Sequence, residues 1–415
     1  MAVLKAFRAI RPVPELASRV AALPYDVMNS EEARRMVEGN PYSFLHIDKA
    51  EVDLDPSVDI HDERVYDKAR ENLEAMKEKG WLKKDEKESL YIYKQVMDGN
   101  GQIGLVGCVS ADDYMNNRIK KHENTRKDKE QDRINHVKHC NANTGPIFLM
   151  YRAQEEISEI IDQWMKGNAP VYDFISEDAI EHVVWAIDDD ETIKSLVSLF
   201  GGLDNLYIAD GHHRAASAVE VARMKRRENP DYKGDEEFNY FLAVLFPHNE
   251  LRIMDYNRVV KDLNRYTAEA FMEKVNEKFM AEKFSGKERY KPDEKHTFGM
   301  YLDNKWYKLT AKEGTFNPHD AVGSLDVSIL QDNLLNPILG ITDPRTDDRI
   351  DFVGGIRGLE ELEKRVNEEM AAAFSMYPTS IEDLMAIADA GEIMPPKSTW
   401  FEPKLRSGLF IHDLD

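Results

Sequence analysis

Asn205-Leu-Tyr-Ile-Ala-Asp-Gly-His-His-Arg-Ala-Ala-Ser-Ala-Val219 changes its periodicity midway. Leu206 to Ala209 is a short apolar run rich in strand formers, bounded by Asp210 and Gly211. From His212 onward, Ala215, Ala218, Val219 and Ala222 fall at helical spacing, and Lys225, Arg226 and Arg227 sit where cations suit the end of a helix dipole. The segment therefore reads as strand, glycine turn, helix. That geometry leaves the first N–H groups of the helix without intrahelical partners and facing the turn, which favours an anion such as a phosphate. Gly211 permits close backbone approach and Arg214 adds a planar fork of donors. An ordinary capped helix would explain Gly211 alone. Asp210, His212, His213 and Arg214 packed around it point instead to anion binding.

Composition sets the limits around this segment. The chain has 415 residues, which predicts two or three domains, and a hydrophobic share of 42% typical of folded proteins. Its 77 acidic residues outweigh 55 Lys and Arg, for a net charge of -22. Such a field repels nucleic-acid backbone, and no basic patch offsets it, so no nucleic-acid partner is expected. Cys108 and Cys140 do not make a disulfide framework and suit a reducing compartment. Met1 to Arg19 is broken by Arg8, Arg11, Pro12 and Pro14, so no leader is read there. No run approaches the ~20 apolar residues of a membrane span. The expectation is a soluble cytoplasmic protein without a membrane partner; the sequence leaves its oligomeric state open.

Working outward, Ser30 reads as the cap of a helix opened by Glu31 and Glu32 and stopped by Gly39-Asn40-Pro41. Ser43 to Ile47 reads as a strand, and Asp62 to Gly80 as a helix. Tyr91 to Met97 and Gln102 to Val109 flank Asp98-Gly99-Asn100-Gly101, a hairpin signal. A charged helix ending near Cys140 follows, then a strand from Pro146 to Tyr151. Tyr240 to Phe246 and Leu251 to Tyr256 read as a strand pair, and Ala268 to Phe284 as one long amphipathic helix. Phe298 to Leu302 and Trp306 to Leu309 form a hairpin around Asp303-Asn304. The expected organisation is an N-terminal α/β unit over 1–85, a core over 86–262 and a C-terminal α+β domain over 263–415, α+β overall.

Two further clusters carry candidate chemistry. In Lys120-Lys-His-Glu-Asn-Thr125, Glu123 beside His122 is a candidate general base, against the plainer reading of a solvated charge run opening a helix. In the tail, Lys397, Ser398 and Thr399 offer an ammonium, hydroxyls and backbone donors to a phosphate or carboxylate, against the plainer reading of a polar connector. His136, His139 and Cys140 with His122 invite a zinc site, but a second ligand pair at finger-like spacing is missing. His136, near Asp132 and Arg133, reads better as lining the cleft of Glu123.

At these clusters the chain resembles known proteins. Asp210-Gly-His-His-Arg-Ala215 resembles the signature helix of the ParB/sulfiredoxin-like superfamily, and more closely that of the free serine kinases, which move a phosphoryl group from a nucleotide to free L-serine. Lys121-His122-Glu123 looks like their Pro-His-Glu segment, with Lys in place of Pro, and Pro396-Lys-Ser-Thr399 matches their terminal loop in the same order. Where those kinases continue with Arg-His, this chain has Trp400-Phe401. Along its full length, through Pro24-Tyr-Asp-Val27, Asn40-Pro-Tyr-Ser-Phe44, the Lys-His-Glu-Asn-Thr run and Asp-Gly-His-His-Arg, it resembles a bacterial family of unknown function.

The resemblance implies a ParB/sulfiredoxin-like nucleotide-binding core and a phosphotransferase acting on a small hydroxyl amino acid, serine first, in either direction. ADP or ATP and Mg²⁺ are the implied cofactors. Gly211, His212, His213 and Arg214 would bind the nucleotide; Glu123, His122 and Asp210 would act in catalysis, with Asp210 holding the turn or placing Mg²⁺. Lys397, Ser398, Thr399 and His136 would bind substrate. The alternative is a ParB-like nucleotide-gated binding protein without turnover.

Overall fold

A computed structural model describes residues 2–286 and 288–415. The fold is α+β. The chain forms two compact units, Met1–Leu251 with Pro403–Asp415, and Arg252–Glu402. Among the described residues no helix is long and apolar enough to cross a membrane.

The first unit is built on a nine-stranded mixed sheet of β1 (Leu4–Lys5), β2 (Leu90–Met97), β3 (Asn100–Ser110), β4 (Ile119–Lys120), β5 (Ile147–Tyr151), β6 (Tyr172–Ile175), β7 (Glu181–Ile187), β8 (Leu206–Asp210) and β9 (Tyr240–Pro247). Their order is β4-β8-β5-β9-β3-β2-β7-β6, with β1 pairing β3. The central hairpin closes where expected: Met97 pairs with Asn100, and the two-residue turn Asp98-Gly99 has φ of 51° and 77°, the geometry that Asp-Gly supplies at low cost. Most pairs are antiparallel; β4 with β8 and β5 with β9 run parallel.

Apolar residues of the sheet pack with Ile157 and Ile161 of α3 (Glu155–Gly167), Leu196 and Phe200 of α4 (Asp190–Gly201), and Ala215, Ala218 and Val219 of α5 (His212–Glu228). A second core joins the N-terminal residues to the rest of the unit. Phe44, Val65, Ala69 and Leu73 gather there with Cys140, Ala142 and Ile411, the helices involved being α1 (Glu63–Glu78) and α2 (Lys127–Cys140).

The tail is drawn into this unit by buried amides. Gln95 Nε2 donates to the carbonyl of Lys404 at 2.9 Å, and Gln102 Nε2 donates to Gln95 Oε1 at 3.0 Å. Ile10 and Ile411 exchange backbone hydrogen bonds, and so do Ala22 and Ser407. Buried polar groups placed this way are fully committed, because leaving one unpaired costs about 1–3 kcal/mol.

The second unit carries a six-stranded antiparallel sheet: β10 (Tyr256–Val260), β11 (Phe279–Lys283), β12 (Thr297–Leu302), β13 (Lys305–Ala311), β14 (Ile350–Gly354) and β15 (Ala372–Met376), in the order β11-β13-β12-β15-β10-β14. The β12–β13 hairpin turns at Asp303-Asn304, as its sequence requires.

Four expectations are corrected. Ser43 to Ile47 is not a strand: Leu45–Asp48 is a helical turn, started by the Ser43 hydroxyl accepting from the Leu45 N–H, and short apolar runs do not fix a period. The cap at Ser30 is Asn29, which forms a capping box with Glu32. The long helix from Ala268 ends at Lys278; Phe279 is buried and Met280 exposed, and this alternation lets the ladder to β13 override helix propensity. Leu251 to Tyr256 does not pair with the Tyr240 strand. Ile253–Met254 pairs with Trp400–Phe401, because the chain has passed into the second unit.

In that unit Asp326 has one carboxylate oxygen accepting the His296 N–H at 2.9 Å and the other buried without a partner. Burial pushes its carboxyl up to about 7. A raised acid favours the fold fully below the unfolded value near 4 and loses that contribution as pH rises through about 7. Urea denaturation at pH 5, 7 and 9 is expected to show a fall on the order of 2–4 kcal/mol across this range, and the fall should be largely absent in Asp326→Asn.

Candidate functional site

Parallel pairing of β4 with β8 brings two of the sequence clusters together. Ile119 lies opposite Leu206 and Lys120 opposite Tyr207, so both strands end at the same edge. Lys121-His122-Glu123 therefore leaves the sheet alongside Ile208 to Asp210. One ring nitrogen of His122 hydrogen-bonds the Ile208 carbonyl. The register of β8 against β5 slips between Ile208 and Asp210, an irregularity of the kind that re-aims side chains beside functional sites.

At the end of β8 the expected turn is present. Gly211 has φ 93° and ψ 32° and opens α5 without a side-chain cap. The first helical bond runs from the Ala215 N–H to the Gly211 carbonyl, so the N–H groups of His212, His213 and Arg214 precede the ladder and carry the positive end of the dipole. A Cβ on Gly211 would lie 3.2–3.3 Å from the Arg214 guanidinium.

Asp210 is held on both oxygens. Oδ1 accepts the Gly211 N–H at 2.9 Å, and Oδ2 lies 3.3 Å from Lys404 Nζ and 3.8 Å from Arg214 Nη2. Burial opposes its charge, but Lys404 and Arg214 hold the carboxyl far below its ordinary value. Of the two roles expected for Asp210, holding the turn fits this geometry. A Mg²⁺ ligand does not, because its oxygens already face two cations and an N–H.

His122 and His212 stand edge to face with ring centroids 4.5 Å apart. Burial lowers both, His122 to about 4, so both imidazoles are neutral near pH 7. Glu123 is half-buried beside them, and one donor atom from each of His122, Glu123 and His212 lies within 4.8 Å of the others. His213 acts differently, its Nε2 accepting the Arg126 N–H at 3.0 Å and tying down the loop that follows Glu123.

Arg214 turns away into a small pocket lined by Tyr25, Asp48, Arg133, His136, Thr144 and Gly145, among others. Its Nη1 donates to the Pro146 carbonyl at 2.6 Å, and its Nε is buried without a partner. Arg133 lies over the Tyr25 ring at 4.0 Å and pairs with Asp132 at 2.8 Å. His136, lowered by burial and by Arg133, lies in this pocket and bonds the Ile47 carbonyl at 3.0 Å. His139 bonds the Asn135 carbonyl and so does not join His136 and Cys140, whose Nε2 and Sγ lie 4.0 Å apart.

Lys397, Ser398 and Thr399 belong to the second unit. Lys397 has φ 59° with its ammonium 5.6 Å from the Tyr256 ring centroid, and the Ser398 hydroxyl donates to the Pro395 carbonyl at 2.6 Å. Arg258 donates to the Lys397 carbonyl at 3.1 Å; it is buried, and burial lowers it to about 10. Among the described residues it has no carboxylate partner.

Sequence reasoning missed Tyr25, Asp48, Arg133, Lys404 and Arg258 as site residues. The Pro-Tyr-Asp-Val stretch carried a usable signal for Tyr25. Lys404 carried none, because only the buried glutamines aim it at Asp210.

A family model described as Protein of unknown function (DUF1015) matches residues 4–328. No curated protein matches. Among solved structures, the chain is similar to a free serine kinase in complex with AMP, with a TM-score of 0.39 and 13% identity over 73% of this chain and 90% of that one. It is also similar to a conserved hypothetical protein from Pyrococcus furiosus, at TM-score 0.36 and 13% identity over 73% of this chain and 93% of that one. SbnI from Staphylococcus aureus, truncated at its C-terminus, gives TM-score 0.36 and 9% identity over 74% and 86%.

Gly211→Ala tests the turn directly. Placing a side chain at φ 93° against the Arg214 guanidinium is expected to cost about 1–3 kcal/mol in urea unfolding; an unchanged midpoint would show that the left-handed turn carries no constraint.

Proposed function

The chain belongs to the DUF1015 family, and from the residues its sheet brings together we propose that it is a nucleotide-dependent phosphotransferase acting on a small hydroxyl amino acid, serine first. One observation supports this most: the β4–β8 pairing sets Glu123 beside the open end of α5 at Gly211. Phosphoryl transfer asks little covalent chemistry of a protein; it asks for positioning and charge stabilisation.

In this reading the N–H groups of His212 to Arg214 take the terminal phosphate of ADP or ATP. The side-chain hydroxyl of serine attacks the terminal phosphorus, the bond from that phosphorus to the bridging oxygen breaks, and the shortened nucleotide departs. Glu123 accepts the hydroxyl proton. Asp210 keeps the turn in place, and His122 packs against His212. His136 in the Arg214 pocket, and Lys397, Ser398 and Thr399 in the second unit, are the proposed substrate-binding groups. The buried Arg258 cation beside the Lys397 carbonyl supports an anionic ligand for that loop. The same site run backwards transfers the phosphoryl group of O-phosphoserine to a nucleotide.

Phosphorus NMR of the protein with Mg²⁺, serine or O-phosphoserine, and ATP, ADP or AMP is expected to show exchange in at least one combination. Glu123→Gln should lower turnover by about 10²-fold or more while nucleotide affinity stays within about twofold. Equal loss of affinity and turnover removes Glu123 as the base, and absence of exchange in every combination removes the phosphotransferase.

A further inference from the structure

We propose that His122, Glu123 and His212 form a binding site for a divalent transition cation, with zinc as the best-suited member. One nitrogen from each imidazole and one carboxylate oxygen lie within 4.8 Å of one another. Ligands around a bound ion stand roughly 3–3.5 Å apart for metal–ligand bonds near 2.0–2.2 Å, so the three need to close by little more than an ångström.

Three independent features fit. His212 Nε2 is buried without a hydrogen-bond partner while its residue is 5% exposed, a state that costs free energy unless something occupies the lone pair or proton. His122 is anchored through a hydrogen bond to the Ile208 carbonyl, the outer contact that orients a metal-bound imidazole. Finally, His122 and Glu123 follow β4 and His212 follows β8, so the donors leave two strands that one parallel ladder holds side by side.

Donor chemistry selects the ion. Two imidazoles and one carboxylate suit zinc and its neighbours in the first transition row, whereas Mg²⁺ requires oxygen ligands. A three-residue set leaves at least one coordination position open, as in sites that act on a bound molecule rather than staple a fold. The other carboxylate oxygen of Glu123 remains able to accept a proton. At the N-terminus of α5, the ion would stand next to the proposed phosphate position and would acidify a coordinated hydroxyl or water. The site does not depend on the phosphotransferase reading, since it is assayed without nucleotide or amino acid.

Metal-stripped protein titrated with Co²⁺ at pH 7 should develop visible absorption at one equivalent. Zinc should abolish that absorption, and millimolar Mg²⁺ should leave it unchanged. His122→Ala and His212→Ala should each weaken Co²⁺ binding at least about tenfold, with circular dichroism unchanged, while His139→Ala binds as the parent does. Absence of visible absorption overturns the proposal. So does a band that survives His122→Ala and His212→Ala together, or a thiolate-to-cobalt band in the near ultraviolet, which would place the ion at Cys140.

Discussion

The half-buried carboxylate of Asp210 is the constraint on which the candidate site rests. A charge in that position is tolerated only because three segments converge on it: its own turn through the Gly211 N–H, the next helix through Arg214, and the tail through Lys404. Each is fixed elsewhere, Lys404 by the buried glutamines of the central hairpin and Arg214 by the Pro146 carbonyl. A buried ion pair is a weak source of net stability, because desolvation offsets its attraction. Its value here is geometric: it holds the αL glycine where the open end of α5 faces His122 and Glu123.

The net charge of -22 makes this local arrangement more informative. An anion approaching such a surface meets repulsion, so any anion site must be assembled from nearby donors. Arg133 and Arg214 supply them in one pocket and the backbone of α5 supplies them at the turn. Tyr25 and Asp48 share the pocket with the two arginines, so the first 85 residues of the chain contribute to it.

How much of this was legible in the sequence follows the range of the forces involved. The turn at Gly211 and the Asp98-Gly99 hairpin are local signals, and they read correctly because glycine conformation and strand alternation act over a few residues. The pairing of β4 with β8 is non-local, joining strands some 85 residues apart, and no spacing rule yields it. The expected pairing of Leu251 to Tyr256 with the Tyr240 strand failed for the same reason: Ile253–Met254 pairs with Trp400–Phe401, far downstream in the chain. Lys404 and Arg258 were invisible because a lone basic residue in a charged chain looks like any surface cation until its burial is known. The edge-to-face contact of His122 and His212 was beyond reach too, since nothing in two separated histidines announces that they touch.

Residues 252–402 interrupt the first unit, whose remaining stretch, 403–415, is made after them. On the ribosome this reverses the usual order in which N-terminal domains finish first. The large sheet can pair its strands while the intervening segment emerges, yet Asp210 waits for Lys404 until nearly all of this sequence has been translated. The nascent protein thus holds its glycine turn without the Lys404 contact for the whole time the insertion is being built, and the stretch after residue 402 supplies it.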